Sequence, residues 1–386
     1  MFSNRVKWDV SSNKISSLLQ KKLQQGEEIN DLTESNPTKC GFTYPENEII
    51  KAFSDKSILQ YTPEPRGILP ARRVISNYYQ TRGVEINPNN IIITASTSEA
   101  YTFIFRLLCN AGDEILVPCP SYPLFEHLSQ INDICLSRYN LYYDFEWHID
   151  ISSIETAISD RTKIIILLHP NNPTGSYVKQ DEFEQICKIA NMKDIAIIVD
   201  EVFYPFNLET RREPANLLKG HPKLMFTLNG ISKLLALPQL KISWIVIAGK
   251  PTYVQSALEK MDVISDCYLS ASTPSMLALQ QLMPACSQLR NSIIERLKTN
   301  YKFLKESLIS SSITPYNVEG GWYSPIKLPR IHNDEDWAIK ILDRYNVFVH
   351  PGYFFDFTDD STLVVCMLKE VNAFQKGINI IKKVAG

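Results

Sequence analysis

Apolar residues recur along this chain in two rhythms. Between Ser11 and Gln25, Ile15, Leu18, Leu19 and Leu23 fall at helical spacing, and Gly26 ends the run. Residues 29 to 33 suit a short strand. The segment Tyr61-Thr62-Pro63-Glu64-Pro65-Arg66-Gly67 is turn-rich and interrupts regular structure, and helical spacing resumes from Arg72 to Tyr79. From about residue 90 short apolar runs alternate with helical ones. The runs predict strands at Ile91–Ile93, Glu114–Val117, Ile164–Leu168, Ile195–Val199, Leu224–Leu228 and Ile242–Ala248, with helices at Glu99–Cys109 and Asp181–Ala190. Strands that are apolar throughout bury both faces, as in a parallel or mixed sheet covered by helices. Past Pro274 the character shifts. A long amphipathic stretch runs from about Pro284 to Ser310. It is followed by a strand at Gly320-Gly321-Trp322-Tyr323, a helix from Asp336 to Tyr345, and strands near Val347 and Leu363. This predicts a smaller α/β domain, with the bend between domains near residues 270 to 290.

The chain has 386 residues, enough for two domains or one large one. It is 44% apolar and 21% charged, ordinary for a soluble globular protein. A net charge of −2 gives no electrostatic reason to expect nucleic acid or an anionic membrane as partner. The eight cysteines form no C-x-x-C pair and no dense framework, so they read as reduced core residues of an intracellular protein. The N-terminus has no apolar signal-peptide segment, and no apolar run approaches the ~18 residues of a membrane span. A cytoplasmic enzyme is expected.

Candidate chemistry collects where predicted strands end, as it does on open α/β sheets. Ser96-Thr97-Ser98 follows one strand and precedes a helix. Its hydroxyls and amides suit a phosphate, and they equally suit an ordinary helix cap. Tyr122, in Pro120-Ser121-Tyr122-Pro123, follows the strand ending at Val117 and could stack on a heteroaromatic ring or simply pack. Asn172 leaves the strand ending at Leu168, and alone it reads as a turn residue. Asp200 ends a buried strand, where a carboxylate is costly without a cationic partner. Glu201 beside it points to the opposite face and reads as structural. Lys233 follows Asn229-Gly230-Ile231-Ser232. Asn, Asp and Lys in that order suit a pyridoxal 5'-phosphate (PLP) site. The Lys amine can condense with the aldehyde, the Asp can keep the ring nitrogen protonated, and the Asn can donate to the phenolate oxygen.

Together these runs resemble the class I and II aminotransferases, the aspartate-aminotransferase-like fold type I of PLP enzymes. The resemblance runs from Asn36-Pro37-Thr38 through Asn172-Pro173-Thr174-Gly175, Asp200-Glu201-Val202 and Ser232-Lys233. It continues to Gly320-Gly321-Trp322-Tyr323 and His350-Pro351-Gly352. It implies an α/β fold whose large PLP-binding domain has a mostly parallel central sheet sandwiched by helices. A small α/β domain would be built from both chain termini. The implied boundaries are 1–45 for an N-terminal arm and part of the small domain, 46–275 for the large domain, and 276–386 for the small C-terminal domain. It also implies a homodimer with sites at the subunit interface, a small-molecule amino donor and an oxo-acid acceptor. By position, Lys233 would form the Schiff base and Asp200 would pair with the ring nitrogen. Asn172 would donate to the phenolate oxygen, and Tyr122 would stack on the ring. Ser96, Thr97 and Ser98 would bind phosphate with Ser232 nearby, and Tyr61 would reach it from the partner subunit. Ser35 would face the substrate carboxylate.

Three positions depart from the family pattern. Phe203 stands where a Tyr usually gives the phenolate a second donor. Lys241, in Leu237-Pro238-Gln239-Leu240-Lys241, replaces a phosphate-binding Arg, keeping the charge but losing the bidentate fork. Val364 replaces the Arg that usually grips the substrate α-carboxylate, and no Arg follows Arg344. Arg66 and Lys327 are candidates to take over that grip. The altered grip leaves room for a PLP-dependent lyase, decarboxylase or racemase on the same scaffold. A non-enzymatic PLP-binding regulator would carry a DNA-binding domain, and the residues before Asn36 show no helix-turn-helix pattern or basic patch.

Overall fold

The computed structural model describes residues 1–8, 11–208, 214–220, 222–269 and 271–386. Strand β1 is Asn30–Asp31. The next eight form one large sheet: β2 (Ile91–Thr94), β3 (Glu114–Cys119), β4 (Cys135–Asp144), β5 (Glu146–Ile149), β6 (Thr162–Leu168), β7 (Ala196–Asp200), β8 (Leu224–Gly230) and β9 (Ser243–Gly249). Their spatial order is β2-β9-β8-β7-β6-β3-β4-β5. The β4–β3, β3–β6, β6–β7 and β7–β8 pairs are parallel, while β9 runs against both its neighbours and β5 folds back on β4.

Continuous apolar strands do bury both faces. In β6, Ile164 and Ile166 pack into one cluster with Phe103, Ile104 and Phe226, while Ile165 and Leu167 pack into another with Phe183 and Ile186. Helix Thr97–Leu108 covers the first face and helix Gln180–Lys193 the second. The β4–β5 hairpin has a half-exposed alternating pattern and escaped a reading based on continuous runs.

The remaining strands are β10 (Thr314–Pro315), β11 (Tyr323–Lys327), β12 (Val347–Phe348), β13 (His350–Pro351) and β14 (Thr362–Cys366). Four of them form a sheet in the order β10-β11-β14-β13, and β12 pairs with β1. Ile15 and Leu32 share a core with Leu297, Trp337, Val365 and Phe374, so both ends of the chain meet in one cluster. The helix Thr273–Ala285 packs instead with Ile75 and Trp244, beside the large sheet. The strand expected at Gly320–Tyr323 begins only at Tyr323. The two glycines before it are drawn back: Gly321 has φ +86°, and the Gly320 amide donates to Gly175 O at 2.9 Å.

Candidate active site

The parallel strands β2, β3, β6, β7 and β8 all end at one edge of the large sheet, and a cleft of about 900 Å3, counted to its open mouth, lies there. Ser35, Thr97, Ser98, Tyr122, Asn172, Asp200, Phe203, Ser232, Lys233 and Tyr323 line it. Most of these residues, far apart in sequence, meet because they end or follow strands that stop at this edge, while Ser35 comes from the segment after β1 and Tyr323 from the start of the strand Tyr323–Lys327.

Asp200 is the last residue of β7. Alternation sends its side chain to the face covered by helix Thr97–Leu108, where the Tyr101 hydroxyl donates to Oδ2 at 2.9 Å. The Val202 N–H donates to Oδ1 at 3.0 Å. Burial nevertheless raises the carboxyl to about 6, and those two donors only partly offset it. Glu201 takes the other face, fully buried, and Arg82 grips it with two bonds of 2.7 and 3.1 Å. The Arg82 guanidinium lies 3.6 Å from the centroid of Tyr204. Tyr204 is therefore held away from the cleft and does not supply the hydroxyl that Phe203 lacks.

Lys233 lies in the single helical turn Ile231–Leu234 after β8. Its amine is 4.7 Å from the Trp322 ring centroid and 5.6 Å from that of Phe203. Among the described residues no carboxylate pairs with it. Burial lowers its pKa, which favours the neutral amine. Asn172 is buried, and its side-chain Oδ1 has no partner among the described residues. The two ends of that amide exchange by a half turn about χ2, so the orphaned position can present either a donor or an acceptor.

The serine cluster divides. Ser96 is the N-cap of helix Thr97–Leu108, and its hydroxyl accepts from the Glu99 N–H at 3.1 Å while the Glu99 carboxylate accepts from the Ala95 N–H at 2.7 Å. The Ser96 oxygen accepts in the cap and the residue does not line the cleft, so the structure does not bring it together with Thr97 and Ser98 in the cleft wall. Thr97 and Ser98 do line it, and the first-turn amides of a helix have no acceptor within the helix.

Other expected residues lie elsewhere. Lys241 is exposed, with φ +53°, outside the cleft wall. Tyr61 is 74% exposed and lines a separate depression with Asp266 and Leu269. Arg66 is engaged by Asp262 through two bonds of 2.5 and 2.6 Å, and Lys327 is paired with Asp359. Neither is free to grip a substrate carboxylate. Sequence reasoning missed Tyr101, Tyr323 and Ser243. Tyr101 sits one turn beyond Thr97, where a hydroxyl-bearing aromatic looks like any core residue of an amphipathic helix.

The residues present fit PLP. The cleft offers an amine with a lowered pKa, a buried carboxylate, an orphaned amide, an aromatic ring 43% exposed at Tyr122, and a helix N-terminus. The chain matches the family model "aminotransferase class I and II" over residues 28–373. It belongs to that family.

Members of this aminotransferase family are generally PLP-dependent. The glutamate-pyruvate aminotransferase AlaA of Haemophilus influenzae is 25% identical over 366 residues, covering 92% of this chain and 90% of that protein. The Escherichia coli glutamate-pyruvate aminotransferase AlaA is 26% identical over 258 residues, covering 67% of this chain and 64% of that one. The solved alanine aminotransferase of Pyrococcus furiosus has a TM-score of 0.87 at 24% identity, covering 100% of this chain and 99% of its own. The Thermotoga maritima aspartate aminotransferase reaches 0.86 at 19% identity, covering 99% of each chain. Among the described residues no helix is long and apolar enough to cross a membrane.

Proposed function

We propose that this aminotransferase binds PLP through Lys233 and moves an amino group from a small amino donor to an oxo acceptor. The observation that carries the reading is the shared cleft. The Lys233 amine and the Asp200 carboxylate open into it beside the N-terminus of helix Thr97–Leu108. When bound, PLP supplies an electron sink for the carbon that carries the amine. Asp200 would face the ring nitrogen, where its charge keeps the nitrogen protonated. Thr97, Ser98 and Ser232 would take the phosphate with hydroxyls and first-turn amides. Tyr122 would lie against the ring, and the Asn172 amide would meet the phenolate oxygen.

Lys233 would serve twice. Its amine would hold the cofactor aldehyde, and the same Nζ, whose pKa burial lowers, would be placed to take a proton from the donor carbon and to return one. Tyr61, exposed on its own chain, and Lys241 would act on phosphate in a homodimer, Tyr61 from the partner. Ser35 would face the substrate.

Purified protein with PLP tests this. The wild type is expected to develop a visible absorption band that Lys233→Ala loses. An undiminished band in Lys233→Ala refutes the assignment. Incubation with amino donors is expected to convert bound PLP to pyridoxamine phosphate, whereas release of CO2 or ammonia with PLP retained speaks for a lyase instead.

A further inference from the structure

Val364 occupies the middle of β14, directly opposite Pro325 in β11 and His350 in β13. By alternation it shares a face with Cys366, whose opposite neighbour is Tyr323, a wall of the cleft. A long cationic side chain at 364 would project along that face toward the cleft. Valine, fully buried, ends far short of such a reach.

No other described cation replaces it. Among the described residues Lys233 is the one cationic side chain lining the cleft. Arg66 and Lys327 are bound to Asp262 and Asp359. Arg296 is held by the carbonyls of Cys40 and Leu368 at 2.9 and 3.3 Å and lies over Phe42. His350, across from Val364, is pushed down to about 4 by burial and is neutral at pH 7. The wall offers hydroxyls at Ser35, Tyr122 and Tyr323 and apolar surface at Phe125 and Val202. A carboxylate brought here sheds water and, with Lys233 engaged by the cofactor, meets no opposing charge among the described residues of the cleft wall, whereas a neutral hydroxyl or hydrogen loses little.

We infer that the amine-bearing carbon of the substrate carries no carboxylate, so that this enzyme exchanges amino groups between a primary amine or amino alcohol and an aldehyde or ketone. The inference rests on the aminotransferase reading above. The exchange balances without an outside oxidant. R–CH2–NH3+ becomes R–CHO by losing its C–N bond and two electrons to the acceptor, with water supplying the aldehyde oxygen. The acceptor carbonyl R'–CO–R'' gives up its oxygen as water and becomes R'–CH(NH3+)–R''.

Matched donors test it on the PLP-loaded enzyme: 2-phenylethylamine, phenylalaninol and phenylalanine in one set, ethylamine, alaninol and alanine in a second. Loss of the visible band and trapped carbonyl product give the rates. The amine or amino alcohol is expected to react faster than the amino acid by about tenfold or more, the penalty of an unpaired carboxylate. Calorimetry without turnover is expected to show 3-phenylpropan-1-ol binding more tightly than 3-phenylpropanoate. Val364→Arg is expected to shift the preference toward phenylalanine by about tenfold or more. The wild-type ranking is decisive even if that variant does not fold. Equal or faster reaction of the amino acids overturns the inference and leaves the aminotransferase reading intact. A chain with no Lys233-dependent band overturns both.

Discussion

Tyr101→Phe probes the support beneath Asp200. The Tyr101 ring packs edge-on against Phe125 with centroids 5.3 Å apart, so Phe preserves the packing and removes only the hydroxyl. That hydroxyl is 2.9 Å from Oδ2 of Asp200, while Val202 N–H stays on Oδ1. A hydrogen bond to an ionised group contributes about 1.5–3 kcal/mol, and 1.36 kcal/mol corresponds to one pKa unit. The Asp200 carboxyl, already raised to about 6 by burial, therefore moves to roughly 7–8 in the variant. An Asp in the unfolded chain titrates near about 3.9. A folded value above the unfolded one means that the folded state binds the proton more readily. The associated stability is present below pH ~4 and is lost as pH rises through the folded value. In the wild type this loss is complete just above pH 6, and in Tyr101→Phe it continues to about pH 8. Urea unfolding of the cofactor-free proteins is expected to show almost no deficit at pH 5, where the folded carboxyl is protonated in both, growing to about 1.5–2.5 kcal/mol at pH 8. The pH below which PLP affinity falls should rise by one to two units in step, because a protonated Asp200 offers no charge to the ring nitrogen. Equal deficits at both pH values, with an unmoved affinity profile, refute the role given to Tyr101.

Glu201→Gln leaves the buried Arg82 charge without its partner, and thermal unfolding should register a loss of about 3–5 kcal/mol with the visible PLP band unmoved when bound. Phe203→Tyr restores a donor near the phenolate oxygen; a spectral titration should show the bound cofactor's pH midpoint falling by about 1–2 units, the worth of one charge-assisted hydrogen bond. Gly175→Ala forces a side chain onto φ +70° and places Cβ 2.3 Å from Val318 Cγ1 and 2.5 Å from Gly320 O. Denaturant unfolding should show a loss of about 3 kcal/mol, whereas an unchanged midpoint shows that the Gly175–Gly320 contact yields.

Much of the site was legible because strand ends are legible. Asp200 and Lys233 stop or follow apolar runs, and the structure opens both into one cleft. Ser96 was ambiguous for a physical reason: a helix cap and a phosphate cup use the same residues at the same place, and the 3.1 Å bond from Glu99 N–H shows the cap. Arg66 and Lys327 were open candidates because sequence does not say where Asp262 and Asp359 lie. Tyr101 was invisible because its partner is 99 positions away and its helix is apolar around it. The expected strand at Gly320 and Gly321 failed because the Gly320 amide turns to Gly175 O and the Gly321 amide, at φ +86°, to Phe206 O, which apolar patterning does not report.

The departures around Lys233 act together. Trp322 and Phe203 place two rings within 6 Å of its amine, and Val364 removes a cation from the neighbouring strand. A lysine can be made neutral by a nearby positive charge or by loss of water. Here burial is the leading cause, and among the described residues of the cleft wall no cation opposes protonation. Charge repulsion in a cleft open to solvent weakens with salt, whereas desolvation by packed rings does not. The protonation of Lys233 in the cofactor-free protein should therefore hold its midpoint between low and high ionic strength. Replacing the rings, as in Trp322→Ala, should raise it toward that of an ordinary lysine. A midpoint that moves with salt but not with the rings would assign the lowered pKa to a charge outside the described cleft.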